Sequence, residues 1–111
     1  MAVVKAFKRH DVVLIPLDPA VGAEIKKTRP CVIVSPDEMN VGLRTVLVAP
    51  MTTVMRGYPS RVRVRFRGKD GEVALDQLRA VDKARVVKRL GALPAAAGEA
   101  ISSVLVEMFA V

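Results

Sequence analysis

Four residue types are scarce: the 111 residues include one cysteine, one histidine and one tyrosine, and no tryptophan. A single cysteine, Cys31, excludes an intrachain disulfide and a metal site built from several thiolates. Cys31 follows Pro30 inside an apolar run and lacks a paired histidine. We therefore expect a small buried side chain there and not a nucleophile.

The single histidine, His10, cannot supply both the acid and the base of a two-histidine mechanism. We interpret it as a surface or strand-edge residue. No group of His, Cys, Asp and Glu residues has the spacing of a zinc site, and the glycines form no phosphate-binding loop motif. The sequence therefore predicts a protein that uses no metal and no other cofactor.

Long apolar runs are also missing. None reaches the roughly 18 residues of a membrane span, and the N-terminus lacks the apolar core of a secretory signal. We therefore expect a cytoplasmic protein with no membrane partner. Acidic residues are few: 11 Asp and Glu against 18 Lys and Arg give a net charge of +7, which favours a polyanionic partner. The length predicts one domain, residues 1–111.

Short apolar stretches separated by turn residues predict a chain built mainly from β-strands. Residues 12–15 form a continuous apolar run, typical of a strand covered on both faces. A polar loop over residues 18–30 leads to a second strand at 31–34. Residues 37–42 are predicted to form a turn, and residues 45–49 a third strand that Pro50 ends.

Residues 61–67 read RVRVRFR, an alternation with period two. This pattern predicts a strand with two valines and a phenylalanine facing the core, and with four arginines on the opposite face: Arg61, Arg63, Arg65 and Arg67. Four like charges in a row favour an anionic ligand, but they also protect an exposed edge strand from aggregation. This pattern alone leaves nucleic acid and solvent as equal alternatives.

The remaining elements complete a mainly β pattern. Residues 69–71 predict a hairpin turn, residues 72–75 and 77–81 two strands, and Asp82 the N-cap of a brief helical turn. Pro94 begins a C-terminal helix with one apolar stripe, assigned to core or dimer packing: Ile101, Val104, Leu105, Met108 and Phe109. We predict an α+β, mainly β fold, a small antiparallel barrel with a packed C-terminal helix.

Five segments, in order, carry a resemblance to a known family: DPAVGAE (18–24), KKTRPCVIVSPD (26–37), VLVAPMTT (46–53), GYP (57–59) and ALDQLRAVDKARVVKRLG (74–91). As a set they resemble the MazF/PemK toxin ribonucleases, the mRNA interferases of toxin–antitoxin pairs. The resemblance implies an SH3-like barrel, a homodimer, and a metal-independent endoribonuclease that cleaves single-stranded RNA at specific sequences and so inhibits translation.

The resemblance places the family's catalytic arginine at Arg29 and its catalytic threonine at Thr52. Attack by a 2′-OH, which gives a 2′,3′-cyclic phosphate and a 5′-OH, requires a stabiliser for the phosphorus dianion and two proton transfers. We expect Arg29 to bind the phosphate, Thr52 to donate its hydroxyl, and Glu24 to activate the 2′-OH. On spacing alone, a Glu24–Arg29 salt bridge and turn capping by Thr52 and Thr53 would also explain these residues.

Polar and cationic neighbours form the predicted RNA-binding set. One family branch has an arginine two positions before its Asp-Gln pair, where this chain has Ala74. We therefore interpret Asp76 as a residue that holds loops or contacts a base. Tyr58 could stack a base, although a lone tyrosine is more often structural. The set comprises Lys26, Lys27, Thr53, Arg56, Tyr58, Arg61, Arg63, Arg65, Asp76 and Gln77.

The resemblance also implies a MazE-type antitoxin whose acidic, disordered tail would cover the same cationic surface and block RNA. Two alternatives remain open. A related toxin group with the same kind of barrel poisons DNA gyrase and is no nuclease, but it depends on aromatic and acidic C-terminal residues, whereas this chain ends EMFAV, without a tryptophan. A catalytically silent RNA-binding module would share every charge argument.

Overall fold

The computed structural model describes residues 6–111; residues 1–5 of the predicted domain lie outside the described residues. The strands are β1 (Asp11–Pro16), β2 (Thr28–Ile33), β3 (Thr45–Thr52), β4 (Arg61–Phe66), β5 (Lys69–Ala74), β6 (Arg79–Asp82) and β7 (Lys88–Ala92). The helices are α1 (Asp37–Gly42) and α2 (Ala95–Phe109), and two 3₁₀ turns cover Leu75–Gln77 and Lys83–Arg85.

All strand pairs are antiparallel, in the order β4-β5-β3-β2-β1-β7, with β6 added to β3. The central strand is β3, which pairs with β6 near its start, with β2 in its middle and with β5 at its end. Because its partners change along its length, the sheet curls into a half-barrel, and α2 packs against β4. The predicted fold class is confirmed.

The sheet is covered on both faces. Val12 and Val32 belong to an apolar cluster that includes Ile101 of α2, whereas their neighbours Val13 and Cys31 belong to a second cluster on the other face. Successive strand residues point to opposite faces, so a doubly covered strand must be apolar at every position. The interpretation of residues 12–15 is therefore confirmed. Each fully buried aliphatic side chain contributes about 1.5–3 kcal/mol.

Three predicted assignments before residue 53 are wrong. Strand β2 spans Thr28–Ile33 and not residues 31–34, so Arg29 and Pro30 belong to the strand and not to the loop. The segment Asp37–Gly42 is a helix and not a turn; Pro36 precedes it, and the buried Asn40 side chain fixes it by donating to the carbonyl of Ser35 at 3.0 Å. The third strand passes through Pro50 and ends at Thr52. Pro50 lacks an N–H, but β5 takes over the pairing at the next residue.

The β4–β5 hairpin turns at Arg67 and Gly68, two residues earlier than predicted. Both have positive φ, +50° and +78°, the conformation that a two-residue hairpin turn requires. Arg67 is therefore outside the strand. The predicted exposed arginine face is correct for Arg63 and Arg65 and wrong for Arg61, whose side chain is 6% exposed.

Strand β7 was missed because KRLGA has no apolar alternation; it forms by pairing with β1, where Arg89 also contacts Asp11 at 3.2 Å. The strand predicted at 77–81 begins at Arg79, after a 3₁₀ turn. Asp82 caps the second 3₁₀ turn as predicted. In α2 the first part of the stripe packs inward, whereas Phe109 is 70% exposed and outside the core.

Within the described residues, no helix has the length and apolarity to cross a membrane.

Candidate active site

The predicted catalytic arginine and threonine lie on neighbouring strands. Pro30 keeps Arg29 extended, and Arg29 pairs with Ile15 of β1 within β2. Strand β2 meets β3 with Cys31 opposite Pro50. Beyond Pro50, β3 pairs with β5, so Arg29 and Thr52 lie where β2 and β3 extend past their mutual pairing. The site is therefore at the open end of β2 and β3.

Arg29 and Thr52 line a cleft of about 440 Å³, which we call the loop cleft. Its walls are the β1–β2 loop (residues 17–27), the β3–β4 loop (residues 53–60) and the first 3₁₀ turn. Nine of the residues predicted from the sequence line it: Glu24, Lys26, Arg29, Thr52, Arg56, Tyr58, Arg61, Asp76 and Gln77. The structure thus brings together residues that are more than 50 positions apart.

A second cleft of about 600 Å³ adjoins the first, and we call it the strand cleft. It lies between the start of β2, the end of β3 and the β4–β5 hairpin, and it too is lined by Arg29 and Thr52. Of the other predicted residues, Lys27 and Thr53 line it. Arg63 and Arg65 line neither cleft, so the structure does not bring them to the site.

Hydrogen bonds orient the three predicted catalytic side chains. Arg29 Nε donates to the carbonyl of Lys26 at 3.0 Å, so the loop backbone holds the guanidinium through one of its nitrogens. Thr52 is 8% exposed, and its Oγ1 accepts from the Val54 N–H at 3.1 Å. A hydroxyl that accepts in this way retains its own proton for donation.

Glu24 is exposed, and its Oε1 accepts from the Val21 N–H at 2.5 Å, so one carboxylate oxygen closes a turn in its own loop. Among the described residues no ion pair joins Glu24 to Arg29. The alternative of a loop salt bridge is therefore not observed. Thr52 does make the local bond that turn capping predicts, while it also faces both clefts.

Arg61 is the centre of an ionic network. It contacts Asp76 at 2.7 Å and Glu72 at 3.3 Å, and its guanidinium lies 5.0 Å from the centroid of the Tyr58 ring. The Arg61 hydrogen bond lowers the pKa of Asp76, with Ser60 adding to the effect. A carboxylate with a lowered pKa is a weak base at neutral pH, which agrees with a loop-holding Asp76. Arg61 is a structural cation within the cleft wall.

Sequence reasoning missed Glu72, which it treated only as part of a returning strand. Glu72 is 4% exposed and accepts from the N–H groups of Arg56 at 3.0 Å and Gly57 at 2.8 Å. The Arg56 N–H has the largest effect in lowering the pKa of Glu72, and the Gly57 N–H and Arg61 act in the same direction. Glu72 thereby holds the β3–β4 loop. No sequence motif signals a carboxylate whose partners are backbone atoms.

Gln77 holds the opposite wall. Its Oε1 accepts from the Ile25 N–H at 2.7 Å, and its Nε2 donates to the Ala23 carbonyl at 3.4 Å. These two backbone groups flank Glu24. The neighbouring residue, Asp76, is bound to Ser60 at 2.9 Å as well as to Arg61. One 3₁₀ turn therefore ties both loops of the loop cleft.

Two further expectations concern single side chains. Cys31 is fully buried, and burial raises the pKa of its thiol to about 12, so it is an inert core residue as predicted. His10 is half-buried at the start of β1, in neither cleft. Across residues 6–111, no three His, Cys, Asp or Glu side chains are grouped closely enough to hold a metal ion.

Residues 8–109 match the family model described as PemK-like, MazF-like toxin of type II toxin–antitoxin system. Among curated relatives, the endoribonuclease toxin MazF of Escherichia coli K12 is 32% identical over 71 residues, 64% of each chain. The endoribonuclease MazF of Staphylococcus epidermidis is 34% identical over 89 residues, 75% of this chain and 74% of the relative. The matched segment thus spans slightly under two thirds of the Escherichia coli protein.

The fold is also similar to a solved structure. The crystal structure of MazF from Deinococcus radiodurans superposes with a TM-score of 0.83 at 24% identity, covering 97% of this chain and all of the other. At that identity the likeness supports the shared fold alone.

Proposed function

The chain belongs to the PemK-like, MazF-like family of toxins of type II toxin–antitoxin systems, and on that premise we propose that it is a metal-independent endoribonuclease that cleaves single-stranded RNA. The observation that carries this proposal is that Arg29 and Thr52 both line two adjoining clefts. The endoribonuclease names of the curated relatives support it.

Arg29 binds the scissile phosphate in the proposed reaction. A guanidinium stays charged in proteins and offers paired N–H donors, which suits stabilisation of a pentacoordinate dianion better than proton transfer. Thr52 donates its hydroxyl to a non-bridging phosphate oxygen. Its fixed Oγ1 needs little reorganisation as the negative charge develops.

Glu24 is the proposed general base. Its Oε1 is held by the Val21 N–H, and the carboxylate accepts the proton of the 2′-OH as that oxygen attacks phosphorus. The bond to the 5′-oxygen then breaks, and a proton from solvent completes the 5′-OH. The products are a 2′,3′-cyclic phosphate and a 5′-hydroxyl end. Asp76, already bound to Arg61 and Ser60, has the weaker claim to this role.

The proposed partners follow from the same surface. A type II toxin has a cognate antitoxin, and an acidic, disordered tail of the MazE type would compete with RNA for Lys26, Arg29 and Arg56. We propose a homodimer and a cytoplasmic location, where a reducing environment suits the single free thiol. Cleavage of messenger RNA would then inhibit translation.

Incubation of the purified protein with a long single-stranded RNA in EDTA tests the proposal. The wild type is expected to give discrete fragments with 5′-hydroxyl ends. Arg29→Ala should lower the rate by at least 100-fold, since it removes the main charge opposite the developing dianion. Arg44→Ala, an exposed arginine that lines neither cleft, is the matched control and should cleave like the wild type.

Full activity of Arg29→Ala would reject the site assignment. Absence of cleavage by the wild type across varied RNAs would reject the nuclease itself. A gyrase supercoiling assay and an RNA-binding assay then separate the two remaining functions, gyrase poison and silent RNA-binding module.

A further inference from the structure

We propose that the strand cleft is a second RNA-binding subsite, which holds the nucleotides on one side of the scissile phosphate while the loop cleft holds those on the other side. The inference rests on the proposed function and extends it to residues outside the loop cleft. It adds Lys69 and Phe66, which the sequence analysis did not assign to RNA.

Two residues that line both clefts allow a single RNA strand to continue from one cleft into the other. Arg29 and Thr52 line both clefts, so a phosphate bound between them has one cleft on each side. The strand cleft is the larger of the two, about 600 Å³ against about 440 Å³. A ligand confined to the loop cleft would leave this larger space, which opens on the same guanidinium, unused.

The two lysines that precede Arg29 in the sequence line different clefts. Lys26 lines the loop cleft, whereas Lys27 lines the strand cleft. Lys27 has a left-handed backbone with φ +72°, and its carbonyl accepts from the Leu17 N–H at 2.9 Å. A fixed left-handed residue turns the chain between consecutive side chains. Each cleft thus receives one of two neighbouring cations.

The strand cleft has an excess of positive charge available to a ligand. Lys27 and Lys69 are both exposed. The one acidic side chain in the lining, Asp70, is paired with Arg65 at 3.1 Å. Arg67 donates to the carbonyl of Leu90, whereas the two lysines are exposed cations that a ligand can reach. Lysine ammonium groups bind phosphate as point charges.

Apolar side chains form the rest of the surface. Met51, Phe66 and Leu90 line the strand cleft; Phe66 is partly exposed, and the Arg67 guanidinium lies 5.6 Å from the centroid of its ring. A groove that combines cations with an aromatic ring suits single-stranded nucleic acid, because phosphates follow the charges while bases pack on apolar surface. The chemistry therefore matches a nucleotide strand better than a small inorganic anion.

The test uses short RNA substrates that span the mapped cleavage site, each extended by two nucleotides on the 5′ side or on the 3′ side. KM and kcat are measured for the wild type, for Lys69→Ala, and for Lys27→Asn/Lys69→Ala. Asparagine tolerates the positive φ of residue 27, and Lys69→Ala alone tests the cleft without changing that backbone. Lys8→Ala/Lys88→Ala removes two exposed lysines that line neither cleft and serves as the control.

One of the two extensions should lower KM several-fold for the wild type and the control. That benefit should disappear in the double variant and weaken in Lys69→Ala, while the other extension helps all four proteins equally. The negative slope of log(kcat/KM) against log[salt] should become shallower by about 1.4 in the double variant, at roughly 0.7 per lost phosphate contact.

Equal benefits from both extensions in every variant, with an unchanged salt slope, would overturn the inference and leave the nuclease assignment intact. A wild type that neither binds nor cleaves any RNA would overturn both.

Discussion

Gly71 of β5 lies directly against the proposed catalytic threonine. A Cβ at this position would be 2.7 Å from the carbonyl oxygen of Thr52, closer than packed atoms allow. Gly71→Ala must therefore displace the end of β3, at a cost of about 1–3 kcal/mol in stability. Because catalysis depends on sub-ångström placement, we expect kcat on a single-stranded RNA to fall by at least about 10-fold.

Gly42→Ala provides the matched comparison, since a Cβ there meets nothing within 4 Å. Its melting temperature and kcat should remain close to those of the wild type. If Gly71→Ala keeps the wild-type kcat, Thr52 either tolerates displacement or takes no part in the reaction, and a Thr52→Val variant would distinguish these cases.

At the scale of elements, the first 3₁₀ turn controls the spacing of the two loops. Gln77→Ala removes both bonds to the backbone around Glu24, in an exposed part of the loop where water can replace the lost partner. We expect faster hydrogen exchange at the Ile25 amide, a roughly 10-fold lower kcat, and little change in melting temperature.

Gln77→Glu retains an oxygen that can accept from the Ile25 N–H, so it should restore slow exchange and most of kcat. The tether hypothesis is wrong if the Ile25 amide exchanges at the same rate in the wild type and in Gln77→Ala.

Elements with a strong period were predictable, and elements made by long-range pairing were not. The apolar run of β1, the alternation of β4 and the stripe of α2 each reflect burial along one segment. By contrast, β7 exists because β1 offers a free edge, and the β4–β5 turn depends on a left-handed Arg67.

The same division holds for the candidate site. Nine predicted residues line the loop cleft; the resemblance supplied Arg29 and Thr52, whereas Glu24 and the cationic residues were predicted from their charge. Glu72, whose partners are backbone N–H groups, had no sequence signal.

For the whole molecule, three groups make stability fall in acid. Burial lowers the pKa of His10 from about 6.5; the charge of Arg9 acts in the same direction, and that of Asp37 opposes it. Below this pH the unfolded chain takes up a proton that the folded chain does not, so the free energy of unfolding decreases. The lowered pKa values of Asp76 and Glu72 give a further loss below about pH 4.

We expect urea denaturation to give a lower free energy of unfolding at pH 5.5 than at pH 7.5. His10→Asn has no group that titrates in this range and tolerates the positive φ of +71°. It should therefore show a flatter profile between these two pH values and retain the loss below about pH 4. If His10→Asn shows the same decrease in the free energy of unfolding between pH 7.5 and pH 5.5, a group other than His10 must cause it.

The side chains that hold the two loops form hydrogen bonds with main-chain atoms. Glu72 binds the amides of residues 56 and 57, and Gln77 binds the amide of residue 25 and the carbonyl of residue 23. Every residue type except proline supplies these atoms. The side chains that face RNA can therefore be exchanged while the frame stays in place. For the proposed nuclease, randomising residues 20–23 and 53–55 is thus a direct route to variants with new cleavage sequences, because the proposed catalytic centre stays unchanged.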